Sequence, residues 1–205
     1  MTSEFNIKAY CHIRNRTFSV NGSKQFKYDV SDLSVFFKSG YKSLDLDYPK
    51  FFKMDSLSKL ALLGSELIFK TNQNNTIDSN TAIVLSNKAS SLDSDRKFQE
   101  SISDRDQFYP SPAVFVYTLP NICIGEISIR QQFRSENSFF IFERFNPEPL
   151  FVHANDLLQS NKASNVLCGW VNVDADEYDC FMYLVSKNGI FAHSIEQINS
   201  LYNAQ

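Results

Sequence analysis

Apolar and polar residues alternate along residues 7–13, the period-two signature of a half-buried strand. Asn21-Gly22 follows as a type I′ hairpin signal leading toward residues 25–28. Asp55 or Ser56 is placed to cap a helix in which Leu57, Leu60, Ala61, Leu63, Gly64, Leu67 and Ile68 make a broad apolar face. The run TAIVLS at 81–86, bounded by polar clusters, predicts a strand buried on both faces. A short surface helix is expected from Ser94 or Asp95 to Ser103. Another is expected from Thr118 or Pro120 to Phe133, where Leu119, Ile122, Cys123, Ile124, Ile127 and Ile129 point almost all round, so that helix should be buried. Residues 137–142 read as a strand, 147–160 as a helix with Pro147 in its first turn, 164–173 and 180–186 as strands, and 194–202 as a closing helix. Strands separated by helices predict an α/β domain whose mixed central sheet is mostly parallel and flanked by helices. No repeat or linker divides the 205 residues, so residues 1–205 are expected to form a single domain.

Composition removes whole classes of function. Hydrophobic residues at 43% and charged residues at 21% describe a globular chain and exclude disorder. Glycine is scarce, 6 residues, about 3% against an average usage of about 7%, and the six are isolated. Neither a dinucleotide fingerprint nor a P-loop can be written. The net charge of −3, with no Lys/Arg run longer than two, leaves no footprint for nucleic acid or anionic lipid. The first 14 residues lack the charged and apolar regions of a signal peptide, and the longest apolar stretch, 113–124, is interrupted by Thr118, Pro120 and Asn121. A cytoplasmic protein without membrane insertion is expected. Cys11, Cys123, Cys168 and Cys180 show no CxxC spacing, which argues against disulfides and structural zinc.

Candidate chemistry is thin when taken residue by residue. Asp174, Asp176, Glu177 and Asp179 offer oxygen ligands, but the spacing lacks the glycine and terminal glutamate of a calcium loop and reads as a solvated turn. His12, His153 and His193 have no neighbour at zinc spacing and no visible general-base partner. No G-x-S-x-G exists for a hydrolase triad. No metal and no cofactor is expected.

One region carries more. Ser111-Pro112, then Thr118-Leu119-Pro120-Asn121, then Gly125 and a helix running to Arg134, resembles the N-terminal half of the β-ketoacyl synthases, the thiolase-fold condensing enzymes of fatty-acid and polyketide synthesis. The segment from Lys53 to Leu60 is similar to an earlier helix-opening motif of that family, and Lys162 to Gly169 (KASNVLCG) to a later strand. The similarity spans roughly residues 45 to 187 and implies half of a thiolase-like fold, a ketosynthase N-terminal-like domain.

The resemblance also implies what is lost. The family nucleophile lies ten residues after the arginine matching Arg134 and nineteen before the alanine matching Ala163, and both counts arrive at Arg144. Glu143-Arg144-Phe145-Asn146-Pro147 replaces a turn built around a cysteine, and a guanidinium can be neither deprotonated nor a nucleophile. Ser135-Glu136 and Trp170 stand where the family has glycine-containing pairs. No stretch after residue 187 matches the family half that carries its catalytic histidines. No catalytic residue is therefore assigned, and the chain resembles the short chain-length-factor-like proteins of bacterial aryl-polyene and related pigment synthases.

By that resemblance the partner is a full-length β-ketoacyl synthase in a heterodimer, with a self-dimer and an acyl carrier protein as further possibilities. Asn137, Phe139, Phe140, Ile141 and Phe142 match the family's dimer strand, although the same aromatics suit a core equally well. Val114, Phe115 and Thr118 match the segment that reaches toward the partner's acyl tunnel and would gate it by bulk, with plain packing as the alternative. Glu143 and Arg144 either pair within the vacated site or stand exposed. A different class of function stays open: a stand-alone scaffold for an acyl carrier protein or synthase complex.

Overall fold

Two pairs of residues with positive φ fold the start of the chain into a three-stranded meander. In the computed structural model, which describes residues 2–71, 78–104, 106 and 108–204, Asn15 (49°) and Arg16 (58°) turn β1 (Thr2–Arg14) into β2 (Thr17–Val20). Asn21 (49°) and Gly22 (78°) then turn β2 into β3 (Ser23–Lys27). Both are two-residue connections of the type I′ kind, whose twist matches the flanking strands. The Asn-Gly turn is the one expected, but the first turn places an arginine where glycine is usual.

Asp32 caps α1 (Leu33–Ser43) by accepting the Val35 N–H at 2.8 Å, and a 3₁₀ turn over Pro49–Lys53 leads to α2 (Ser56–Thr71). The Asp55 carboxylate accepts the Ser58 N–H at 2.9 Å and so starts α2. Then come β4 (Thr81–Asn87), α3 (Leu92–Ser103), the single turn α4 (Pro112–Phe115), α5 (Ile122–Gln131), β5 (Asn137–Ile141) and α6 (Pro147–Gln159). The chain continues through β6 (Asn165–Asp174), β7 (Glu177–Ser186), β8 (Phe191–Ser194) and α7 (Ile195–Asn203). The described strands make one sheet in the order β3-β2-β1-β7-β6-β4-β5, with β8 also on β1.

The mixed sheet flanked by helices matches expectation, but "mostly parallel" is corrected. Only β4 with β5 and β4 with β6 run parallel; β1, β2, β3, β7 and β8 join by antiparallel pairs. The cause lies in the acidic run: β6 and β7 are separated by Ala175 and Asp176 alone, and so short a connection can only reverse the chain. Within this turn region Asp174 pairs with Arg96 (2.6 Å) and Asp179 with Arg14 (2.9 Å).

Alternation sends strand side chains to two cores. On one face Ala9, Cys11, Ile13, Ile83, Leu85, Leu167 and Met182 pack with α1, α2 and α5. On the other, Tyr10, Val84, Val166, Phe181 and Tyr183 pack with Leu150, Phe151, Ala154 and Leu157 of α6 and with Ile198 and Leu201 of α7. Both faces of β4 are buried, as its apolar run predicts. Helix α5 departs from expectation. It starts at Ile122, and it is buried on one side through Cys123, Ile124, Glu126 and Ile127 while Ile129 and Leu119 stand exposed. Its principal helical neighbour is α2, which leaves the opposite side open.

Candidate functional site

Parallel strands in an open α/β sheet leave a crevice beyond their carboxyl ends. Here the ends of β4 and β5 are tied together, because the N–H of Phe142 donates to the Asn87 carbonyl at 2.9 Å. The buried Asn87 side chain closes the turn that follows: its Nδ2 donates to Ser90 O (2.8 Å) and its Oδ1 accepts from Ser90 N (2.9 Å), with Ser90 left-handed at φ 52°. From β6, Asn172 Oδ1 accepts the N–H groups of Lys88 (3.0 Å) and Ala89 (2.9 Å). Ser91 Oγ then donates to the Thr118 carbonyl at 2.6 Å and draws the α4 segment to the same end of the sheet. Sequence reasoning missed this framework, although asparagines at strand ends are a known turn signal.

The turn after β5 lines an open cavity of about 710 Å³, formed by Phe142, Glu143, Arg144, Phe145 and Asn146. Its anchors are clear. Phe145 packs against Tyr202, Phe181 and Trp170 with ring centroids 4.3, 5.6 and 6.1 Å away, and Asn146 caps α6 by accepting the Glu148 N–H, with Pro147 in the first turn. Glu143 and Arg144 are exposed, and no ion pair joins them. Of the two arrangements open for these residues, the structure has the exposed one, because the aromatic anchor is the neighbouring Phe145.

No thiol stands at the turn. All four cysteines are buried, and burial pushes the thiols of Cys123, Cys168 and Cys180 up, away from the reactive thiolate. The three histidines are not brought together. His153 of α6 lies 2.9 Å from Ser138 Oγ of β5, whereas His12 and His193 are buried elsewhere on the second face. No group of three or more metal-ligating side chains occurs among the described residues.

Strand β5 ends the order of the described strands: β4 flanks one side, and no described strand pairs with the other. Phe139 faces the first core, while Phe140 and Phe142 stack at 5.8 Å on the second. These three aromatics are partly buried. Asn137 and Ile141 are exposed, Ile141 at 55%.

The α4 segment is capped by Ser111, whose side chain accepts the Val114 N–H. Val114 and Thr118 are half-buried, but Phe115 is 58% exposed with its ring beside Phe98 at 5.1 Å. Phe108, Tyr109, Val116 and Leu119 are exposed as well, so residues 108–119 present an apolar band that the sequence pattern alone did not reveal. Behind it Tyr117 OH donates to Glu126 Oε1 (3.0 Å), and Lys50 Nζ lies 2.7 Å from Glu126 Oε2. Asn121 and Arg134, the other family-spaced residues, flank α5 on the surface.

No family model matches the chain, and no curated protein is significantly similar to it. Solved structures do share its fold. The ishigamide ketosynthase/chain length factor is 16% identical with a TM-score of 0.64, over 91% of this chain and 62% of that one. A chain of the ketosynthase ApeO in complex with its chain length factor ApeC from Xenorhabdus doucetiae is 13% identical with a TM-score of 0.62, over 98% of this chain and 90% of that one. A chain of the complex AntDE:AntF, a type II PKS acyl-carrier protein with its ketosynthase bound to the hexaketide, is 13% identical with a TM-score of 0.59, over 91% and 63%. The chain thus spans less than two thirds of the first and third. The fold is similar to that of ketosynthase and chain length factor structures.

Proposed function

We propose that the chain is a non-catalytic ketosynthase-like subunit of the chain length factor type, acting as one ketosynthase N-terminal-like unit beside an active β-ketoacyl synthase in polyketide or fatty-acyl elongation. The observation that carries this reading is Arg144, exposed in a turn where a condensing enzyme needs a thiolate at a helix N-terminus. A guanidinium cannot attack a thioester, and the buried cysteines cannot reach one. The structures that share its fold include an ishigamide ketosynthase/chain length factor and a ketosynthase in complex with its chain length factor.

Two surfaces support pairing. The free edge of β5, with Asn137 and Ile141 exposed and Phe139, Phe140 and Phe142 behind them, is the partner interface, since an unpaired edge offers a ready ladder to a second strand. The exposed band around Phe115, together with Val114 and Thr118, meets the partner's acyl tunnel. The subunit works in the cytoplasm in this reading; no single described helix is long and apolar enough to cross a membrane.

Co-expression with the ketosynthase of the same biosynthetic system tests the proposal. A stable complex, and a product length that changes when this chain is omitted, are expected. Ile141→Lys, which places a charge on an exposed position, should abolish co-purification while leaving the melting temperature unchanged. A chain that binds an acyl carrier protein but leaves product length alone would be a scaffold, and the chain-length reading would fall.

A further inference from the structure

The sequence holds two Asn-Gly pairs, Asn21-Gly22 and Asn188-Gly189, and only the first has a structural role described above. Asparagine is a chemically labile residue, most of all before glycine. The glycine nitrogen, unshielded by a side chain, can attack the asparagine side-chain carbonyl carbon, and the backbone freedom of glycine lets the two groups meet. In a folded chain the reaction depends on how each pair is held.

Asn21 is locked. It sits in the two-residue turn between β2 and β3 with φ at 49°, its N–H donates to the Tyr10 carbonyl (2.9 Å), and its Oδ1 accepts the Tyr10 N–H (2.9 Å). The side-chain carbonyl is thus tied to β1, and reaching the Gly22 nitrogen means giving up that bond and the turn it closes.

Asn188 is held by its main chain alone. Residues 187–190 run between β7 and β8 outside regular structure, and all four are exposed. Ser186 Oγ donates to the Asn188 main-chain carbonyl at 2.6 Å, whereas the Asn188 side-chain amide and the Gly189 N–H make no hydrogen bond among the described residues. The two reacting groups are therefore unengaged, adjacent and open to water.

We propose that Asn188 is a site of spontaneous deamidation in the native protein and that Asn21 is protected from it. The Gly189 nitrogen attacks Asn188 Cγ: an N–Cγ bond forms, the Cγ–Nδ2 bond breaks, and the glycine amide proton leaves with Nδ2 as ammonia. Water then opens the resulting succinimide. Cleavage of the N–Cγ bond gives aspartate; cleavage of the bond between the nitrogen and the main-chain carbonyl gives isoaspartate, which routes the backbone through Cβ and lengthens it by one carbon.

The lengthened link falls where the packing has no slack. Gly189 lies against β1, where a Cβ would be 2.5 Å from the Ile7 carbonyl oxygen and 2.6 Å from its carbon. The next N–H, that of Ile190, donates to the same carbonyl at 3.0 Å, and Ile7 then pairs with Phe191 at the start of β8. An extra backbone carbon before Gly189 displaces this entry and loosens β8 with the helix α7 that follows it. The proposal rests on the chemistry of this loop and not on the chain-length reading.

Peptide mapping by mass spectrometry, on the full chain held for days in warm, mildly alkaline buffer, provides the test. Conversion of Asn188 to aspartate and isoaspartate is expected, severalfold faster than that of Asn21, and in concentrated urea the two should convert at similar rates. Asn188 left intact in the native chain, or converted no faster than Asn21, would overturn the site. A gap that persists in urea would place its cause in the sequence and overturn the structural argument. Asn188→Asp, which has the new charge on an ordinary backbone, should keep the parental melting temperature, whereas the aged, isoaspartate-rich chain should melt lower. Asn188→Ser aged alongside should show no loss. Equal melting of the aged chain and Asn188→Asp, or an equal loss in aged Asn188→Ser, would overturn the coupling to β8.

Discussion

Gly169 of β6 lies directly against the backbone of Phe181 on β7: a Cβ at Gly169 would fall 2.4 Å from the Phe181 carbonyl oxygen and 2.9 Å from Met182 Cγ. That carbonyl belongs to the longest ladder in the sheet and cannot move without disturbing it. Gly169→Ala should therefore destabilise the protein by about 3 kcal/mol. Gly125→Ala should act the other way, because nothing lies within 4 Å of its Cβ and it sits inside α5. A gain of about 0.5–1 kcal/mol is expected there. Denaturant midpoints of the two variants should move in opposite directions, and a loss in both would refute the argument from space.

Arg130 of α5 reaches Glu66 of α2, Nε to Oε1 at 3.0 Å, with Gln131 Nε2 on the same oxygen at 2.8 Å. Glu66 is 5% exposed, so removing the arginine strands a buried carboxylate that keeps only the amide. Arg130→Met should cost about 3 kcal/mol, and Glu66→Gln in that background should restore most of the loss. Urea midpoints of the four variants would measure the coupling; additive losses would mean that the pair is incidental.

The buried histidines give stability a pH dependence of definite sign. Burial holds His193 at about 4, and burial together with the Arg14 charge does the same for His12, against an ordinary value of 6.5. Between those values the unfolded chain binds protons that the folded one does not, so stability is full above about pH 6.5 and falls as pH drops toward 4, by roughly 3 kcal/mol per histidine. Asp55, whose carboxyl burial pushes up, titrates with the opposite sign at the acid end. His193 has no hydrogen-bond partner on either ring nitrogen and packs against Phe151 and Tyr183, which makes His193→Phe the clean control. Unfolding free energies at about pH 7 and pH 5 should differ less in that variant than in the parent. An equal slope in both would contradict the assignment.

What could be read from the sequence divides along physical lines. The Asn21-Gly22 turn, the doubly buried run at 81–86 and the helix behind Pro147 rest on local backbone preferences, and each was legible. The Asn15-Arg16 turn was not, because arginine at positive φ carries no local signal and is imposed by the pairing of β1 with β2. Strand direction was misjudged where two residues, Ala175 and Asp176, were hidden inside an acidic run. At the candidate site, the resemblance to β-ketoacyl synthases led to Arg144, but the anchoring of that turn by Phe145 against Tyr202 depends on α7, far along the chain. The exposure of Phe115 and Leu119 was equally invisible, since an apolar residue looks the same in a sequence whether a core or a partner covers it.

Phe115 offers the most direct test of chain-length control. Its ring is more than half exposed and rests on Phe98, itself on a surface helix, so Phe115→Ala should leave the fold intact, with a loss below about 1 kcal/mol. If the ring closes the end of the partner's acyl tunnel, its removal opens space for further growth, and mass analysis of the co-expressed system should show products longer by one or more extender units. Phe115→Trp should shorten them, because added bulk meets the chain end sooner. Val114→Ala is the internal comparison: Val114 is half-buried, so this change should alter stability more than Phe115→Ala does. An unaltered product distribution in both Phe115 variants, with the complex still formed, would assign the exposed band to docking and remove it from the tunnel.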